Sequence, residues 1–316
     1  MLDRRRRRSA RGRHITERIG WGILGAARIA DRSVIPGIAA SRNGWLVSIA
    51  SRDPDRAREL GAKHSFPRVA ESYDAILEDR EVDAVYIPLV NSVHREWTLR
   101  ALAAGKHVLC EKPLGMNAAE AEEMAGAAQH EGLHLMEAFM YRFHPRVRAF
   151  VDGVHDPLYV HARFGFRLDA PLDYRLVSSL GGGALLDVGC YTVNAARWIL
   201  GEPDEVFAKF RGDASGEEAV DMSVTALLHF PAGTTASVWA SFESPEEQGL
   251  MVVEREGAQH IDRPFTPRDS DNPYRLMVES FADSVFEDRP VEIPPSESVA
   301  NMKVLDQIRE AATGSP

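Results

Sequence analysis

Between residues 19 and 136 the chain alternates short apolar runs with longer stretches of helical period, and this alternation constrains the fold more than any other feature. Apolar runs at 19–24, 46–50, 84–87, 108–110 and 133–136 read as buried strands. The intervening 28–40, 54–61, 72–78, 92–104 and 118–130 read as helices. Asp53-Pro54 supplies an N-cap followed by proline at the first helical position. Gly105 and Gly132 stop the helices before them. Strands separated by helices of this length make a parallel sheet covered on both faces, so the first part is expected to be a doubly wound α/β domain.

After about residue 140 the pattern changes to longer strands at 159–166, 206–210, 223–230 and 234–242, the last two joined across Pro231–Gly233 as a hairpin. Helices are expected at 274–287 and 297–311. The second part therefore reads as an α+β domain on a mostly antiparallel open sheet. In a chain of 316 residues the expected division is a leader at 1–17, the α/β domain at 18–140 and the α+β domain at 141–316.

Charge narrows the partners. The net charge is −10, yet residues 1–18 carry eight arginines against Asp3 and Glu17. The rest of the chain is strongly acidic, which argues against nucleic acid as a partner of the folded part. The basic head has no apolar stretch and cleavage site of its own, so it reads as a disordered leader rather than an export signal. Apolar runs such as 19–27 are far shorter than the ~20 residues of a membrane-crossing helix, so no membrane association is expected. Two cysteines suit a reducing compartment, and a cytoplasmic location is the expectation.

The first strand–helix turn, Gly25-Ala26-Ala27-Arg28-Ile29-Ala30, has small residues where a dinucleotide fold needs a tight turn and close approach to a pyrophosphate. Only Gly25 matches the glycine fingerprint; Ala27 and Ala30 stand at its other two positions. After the second strand, Ser51 and Arg52 offer a hydroxyl and a guanidinium to a ribose 2′-phosphate, with Arg56 one helical turn on. That favours NADP, with NAD as the alternative. Asp53 could reach a ribose, but its N-cap role is preferred.

Lys112, in Cys110-Glu111-Lys112-Pro113, follows a buried strand and so points into the crevice where ligands of open α/β sheets bind. Desolvation and a neighbouring cationic nicotinamide would both lower its pKa. Together with the first turn, Pro88-Leu89-Val90-Asn91-Ser92-Val93-His94, Glu111-Lys112-Pro113, Tyr141-Arg142-Phe143-His144 and Gly181-Gly182-Gly183 through Asp187 to Tyr191, the chain resembles the glucose–fructose oxidoreductase/inositol dehydrogenase/MocA family. Within it the similarity is to the branch of D-xylose 1-dehydrogenases and dimeric dihydrodiol dehydrogenases. The resemblance implies an NAD(P)-dependent oxidoreductase acting on a small sugar, cyclitol or diol, assembled as a homodimer or homotetramer through the C-terminal sheet.

It also implies residue roles. Pro88, Leu89, Asn91 and His94 would border the nicotinamide ribose, with Glu111 beside the functional Lys112. Tyr174 and Arg175, after Asp173, would reach the nicotinamide or substrate, and Tyr274 would close over the cofactor. Arg142 and His144 would face the substrate, although ion-paired or capping roles at a domain junction compete. Ala27 departs from the family's usual glycine. Tyr191 stands where most members have histidine, which suits the dihydrodiol dehydrogenase-like branch.

If 185–200 is helical, Asp187 and Tyr191 share one face. Removing a hydroxyl proton needs a base, and a phenol of pKa ~10 serves only if a nearby cation lowers it. Tyr191 is therefore expected as acid/base, Lys112 as the cation and Asp187 as the group orienting substrate or lysine. The reversed assignment, with Lys112 as base, uses the same residues. His130-Glu131-Gly132-Leu133-His134 matches a zinc-protease pattern, but Gly132 interrupts the helix it requires, and no metal is expected. Cys110 and Cys190 read as inert buried residues. The competing functions are a keto-sugar reductase running the same chemistry backwards and a non-catalytic dinucleotide-sensing regulator.

Overall fold

The computed structural model describes residues 18–314 apart from 171, 213–218 and 269, so the arginine-rich head lies outside the described residues. The first sheet contains β1 (Ile19–Leu24), β2 (Gly44–Ala50), β3 (Arg68–Val69), β4 (Ala84–Ile87), β5 (His107–Cys110) and β6 (Leu135–Glu137), ordered β3-β2-β1-β4-β5-β6. Every pairing in it is parallel. β1 and β4 are buried along their whole length, as strands covered on both faces must be. The order reverses between β1 and β4, which opens a crevice at their carboxyl ends.

Helices α1 (Ile35–Ala40), α2 (Pro54–Lys63), α3 (Tyr73–Glu78), α4 (His94–Ala103) and α5 (Ala118–Glu131) follow the strands. α1 is entered through a π turn, Ala30–Val34, rather than running unbroken from residue 28. Asp53 caps α2 as expected, accepting the Asp55 and Arg56 N–H groups, each at 3.1 Å. α5 ends at Glu131, with Gly132 left-handed at φ 65°. β3 went unforeseen because two exposed residues carry no apolar signal.

Beyond β6 lie α6 (Pro145–Asp152) and β7 (Pro157–Gly165), then a π turn at Leu185–Gly189 leading into α7 (Cys190–Leu200). β8 (Glu205–Arg211), β9 (Ser223–His229), β10 (Thr235–Ser241), β11 (Glu247–Glu254) and β12 (Gly257–Asp262) complete a sheet ordered β12-β11-β7-β10-β9-β8. Only β7 and β10 pair in parallel; the remaining pairings are antiparallel. β11 and β12 were not anticipated, because Gly249–Val253 does not alternate and β12 is a polar edge. α7 packs beneath β7 and β10, where Val160, Ala162, Val238 and Ala240 point inward.

The last helices, α8 (Pro273–Glu287) and α9 (Pro295–Thr313), return to the first sheet's helical layers. Asn43 donates to Glu279 O at 2.9 Å and Asp283 Oδ1 at 2.8 Å, tying α8 beside α1. The Ala118 N–H at the start of α5 donates to Asp306 Oδ2 on α9 at 2.8 Å. The two sheets are thereby held as one body around the crevice. Among the described residues no helix is long and apolar enough to cross a membrane.

Glu137, at the end of β6, is buried where the halves meet. Its Oε1 accepts the Leu114 N–H at 2.9 Å. Burial lifts its carboxyl from 4.5 to about 7. The folded chain therefore holds this proton more tightly than the unfolded chain. The associated stability is complete below about 4.5 and lost as pH climbs through about 7. Glu137→Gln mimics the protonated form, so its Tm should fall less than the parent's between pH 5 and pH 8, by the equivalent of roughly 2–3 kcal/mol. Parallel thermal melts check this.

Candidate active site

A cavity of about 990 Å³ occupies the crevice and runs from the first turn to the segment before α7. At one end Gly25, Ala26, Ala27, Arg28 and Ile29 form its wall. Gly25 adopts φ +126°, its N–H donates to Ala50 O at 2.8 Å, and an added Cβ would lie 2.9 Å from Leu89 Cδ2. Only glycine fits that turn. Ala27, the departure from the usual glycine, still lines the cavity.

Ser51, Arg52 and Arg56 join this wall, together with Arg32, which the sequence reading missed. Arg56 Nε donates to Ala26 O at 2.6 Å, which fastens the head of α2 to the first turn. None of Arg28, Arg32, Arg52 and Arg56 forms an ion pair among the described residues. Four guanidiniums around a glycine turn, none in an ion pair among the described residues, fit the phosphates of a dinucleotide, including a 2′-phosphate.

In the middle, Pro88, Leu89, Asn91 and Glu111 line the cavity. Asn91 Nδ2 donates to Gly181 O at 2.7 Å, bridging the first domain to the glycine-rich segment of the second. Tyr86 donates its hydroxyl to Glu111 Oε1 at 2.5 Å. Burial raises the Glu111 carboxyl, with Lys112 opposing.

His94 stands behind the cavity wall. It does not line the cavity; its Nδ1 lies 2.9 Å from Pro113 O and its Nε2 3.0 Å from Leu89 O. Full burial lowers it to about 4, so it is neutral, donates to one of these two carbonyls and packs between the Pro88 loop and the Lys112 loop.

The far end brings Lys112, Asp187 and Tyr191 together. Lys112 Nζ donates to Asp187 Oδ1 at 2.9 Å and to Asp187 O at 3.0 Å. Arg175 NH1 donates to Asp187 Oδ2 at 3.2 Å, while its Nε and NH2 engage Asp173 at 2.9 and 2.8 Å. The Lys112 ammonium stands 5.3 Å from the Tyr191 ring centroid. That ring is fixed by Phe139, Phe164, Tyr141 and Phe265, with centroids 5.2–5.7 Å away.

The titration pattern reverses two expectations. Burial works against the Lys112 ammonium, but Asp187 and Tyr191 outweigh it and hold the pKa well above the ordinary lysine range. Burial also pushes Tyr191 well above 10, and Lys112 opposes that without overcoming it. Asp187 stays below the usual carboxylate range because Lys112 and Arg175 outweigh its burial. The lysine is thus a lasting cation and the phenol a proton holder at neutral pH.

Tyr174, Arg175 and Tyr274 all line the cavity, and burial pushes both tyrosines up to about 12. Arg142 and His144 do not line it and instead take the ion-paired and capping roles. Arg142 is buried against the Trp198 ring at 4.2 Å and pairs with Glu297 of α9, so its charge is spent at the domain junction. His144 caps α6, with Nδ1 accepting the Arg146 N–H at 3.2 Å.

His130 and His134 fall on either side of the α5 terminus, and His134 Nε2 meets Arg289 O at 3.0 Å. Cys110 and Cys190 are buried, and burial raises both thiols. Phe164, Phe166, Met140, Leu172 and Thr266 also line the cavity and went unforeseen, since they come from separate segments with no shared motif.

This fold and site define a dinucleotide-binding oxidoreductase. Residues 19–139 match the oxidoreductase family with an NAD-binding Rossmann fold, GFO_IDH_MocA, and residues 154–258 match the GFO/IDH/MocA C-terminal domain. The chain belongs to the GFO/IDH/MocA family. It is 38% identical to D-xylose 1-dehydrogenase (NADP(+)) 2 of Haloferax volcanii, over 92% of this chain and 97% of that protein. Trans-1,2-dihydrobenzene-1,2-diol dehydrogenase of Mus musculus is 35% identical, over 78% of this chain and 75% of that protein. A solved point mutant of a 3-ketoreductase from Actinomadura kijaniata, in complex with TDP-benzene and NADP, superposes with a TM-score of 0.88 at 31% identity, over 94% of this chain and 98% of that one.

Asp187 holding Lys112 as a cation has a direct readout. Asp187→Asn should let Lys112 lose its proton at lower pH, so acylation by a small amine-directed reagent begins at lower pH than in the parent. Mass spectrometry of the Lys112 peptide across a pH series measures the onset.

Proposed function

We propose that the protein is an NADP-dependent oxidoreductase acting on a secondary alcohol of a sugar or cyclic diol, or on the corresponding ketone. The observation that carries this reading is the Lys112–Asp187 ion pair beside Tyr191, at the opposite end of one cavity from Arg28, Arg32, Arg52 and Arg56. The relatives named for NADP(+) and bound to NADP support the cofactor choice. When bound, the nicotinamide supplies the hydride acceptor or donor.

The chain's own residues do the rest. Lys112 donates a hydrogen bond to the substrate oxygen and offsets negative charge growing there. Tyr191 takes the hydroxyl proton in oxidation and returns it in reduction. Asp187 keeps the lysine charged and aimed, and Arg175 fixes the other carboxylate oxygen. The phenol's raised pKa keeps it in the proton-donating form that carbonyl reduction consumes, which favours efficient running in the reductive direction as well.

Turnover on a panel of pentoses, hexoses, cyclic diols and their keto forms, with NADP and NAD, tests the reading and separates an enzyme from a dinucleotide sensor. Tyr191→Phe should cut kcat roughly 10²–10⁴-fold while NADPH binding, followed by fluorescence, persists. Because the phenol titrates above its ordinary value, kcat/KM for alcohol oxidation should rise roughly tenfold per pH unit from pH 7 to 9. Reduction should stay flat across that range.

The outer face of the second sheet is read as the contact for a second copy of the chain. Phe207 and Leu227 face each other across β8 and β9 and are 58% and 43% exposed, an apolar pair for which burial in a dimer supplies a reason. Light scattering should show an oligomer that Phe207→Glu converts towards monomer.

A further inference from the structure

The three consecutive glycines before α7 pack three different ways. A Cβ on Gly181 would sit 2.6 Å from Asn91 Cβ and from Met116 Sδ; on Gly182 it would sit 2.5 Å from Arg175 O. On Gly183, at φ +106°, it would lie 2.2 Å from Asp221 Oδ1. Asp221, in the segment leading into β9, uses that approach to reach the start of the π turn. Its Oδ2 accepts the Leu185 N–H at 2.6 Å, and its carbonyl accepts the Ala184 N–H at 2.8 Å. Two residues on from Leu185 stands Asp187, whose N–H donates to Gly183 O at 3.1 Å. Gly183 N–H in turn donates to Arg175 O at 2.9 Å, so the backbone of the arginine that grips Asp187 joins the same knot.

We propose that Asp221 is a positioning residue for the reaction: its carboxylate, admitted by Gly183, anchors the entrance of the π turn and so sets where Asp187 meets Lys112. A carboxylate accepting an N–H in the first turn of a helix stabilises that end, and here the same bond also fixes the turn's register against the second sheet. An α-helical entry would rotate Asp187 relative to Lys112, and the first N–H groups of the turn, like those of any helix start, need acceptors from outside it, which Asp221 supplies to Ala184 and Leu185. Asp221 is not among the residues that line the cavity and acts through Asp187.

The effect on turnover rests on the oxidoreductase reading, whereas the effect on Lys112 does not. Asp221→Ala should lower kcat roughly 10- to 100-fold, with KM changed less than about threefold. It should also move the onset of Lys112 acylation to lower pH, in the direction of Asp187→Asn. Asp221→Asn keeps an acceptor oxygen for Leu185 N–H and should restore most of both properties. Gly183→Ala, which leaves Asp221 in place but denies it the approach, should lower the acylation onset as Asp221→Ala does, and it serves if the latter does not fold. An unchanged Lys112 profile in folded Asp221→Ala or Gly183→Ala would overturn the proposal, as would an asparagine variant no better than alanine. If the parent turns over nothing on the panel, the functional reading fails and the acylation series still decides the role of Asp221.

Discussion

The ion pair between Lys112 and Asp187 joins residues 75 positions apart and from different domains, and the site is organised around it. Taking both charges out of water is costly unless the remaining hydrogen-bonding capacity is satisfied. The structure meets that condition with a second cation, Arg175, on the other carboxylate oxygen and with the Asp187 carbonyl as a second acceptor for the lysine. Separating the two domains would leave each charge partly desolvated and alone. The pair therefore couples the arrangement of the domains to the chemistry of the cavity floor.

Around that pair the cavity is electrically polarised. One end presents four arginines that form no ion pair among the described residues; the other presents charges that are already matched. Anionic phosphates are drawn to the first end, and the second offers a fixed cation and a phenol among aromatic rings. The rings that hold Tyr191 also desolvate it, so its high affinity for the proton follows from how it is held in place. Asn91, reaching Gly181, and His94, bracing two loops, keep the ends in register.

Much of this was legible in local pattern. The alternation of strand and helix, the Asp53 cap, the stop at Gly132 and the turn at Gly25 each depend on residues within a few positions of one another, and all appear in the structure. Lys112, Asp187 and Tyr191, named from motif and resemblance, do meet at one end of the cavity. Strands with weak or interrupted periodicity were not, as β3, β11 and β12 show. Arg142 and His144 carry chemistry-bearing side chains, yet the first is spent against Glu297 and Trp198 and the second on a helix cap. A side chain's type does not reveal which partner, distant in the chain, consumes it.

By itself the amino-acid sequence determined the two-part architecture, the family and most of the cavity wall, because periodicity, caps and glycine turns are local properties of the chain. The signs of the two central pKa shifts were decided only in three dimensions. Local reasoning set a cation beside a phenol and expected both pKa values to fall. Folding added a carboxylate to the lysine and a shell of aromatic rings to the tyrosine, and both rose. Charge–charge energies and desolvation depend on distance and burial, which are created by segments far apart in the chain.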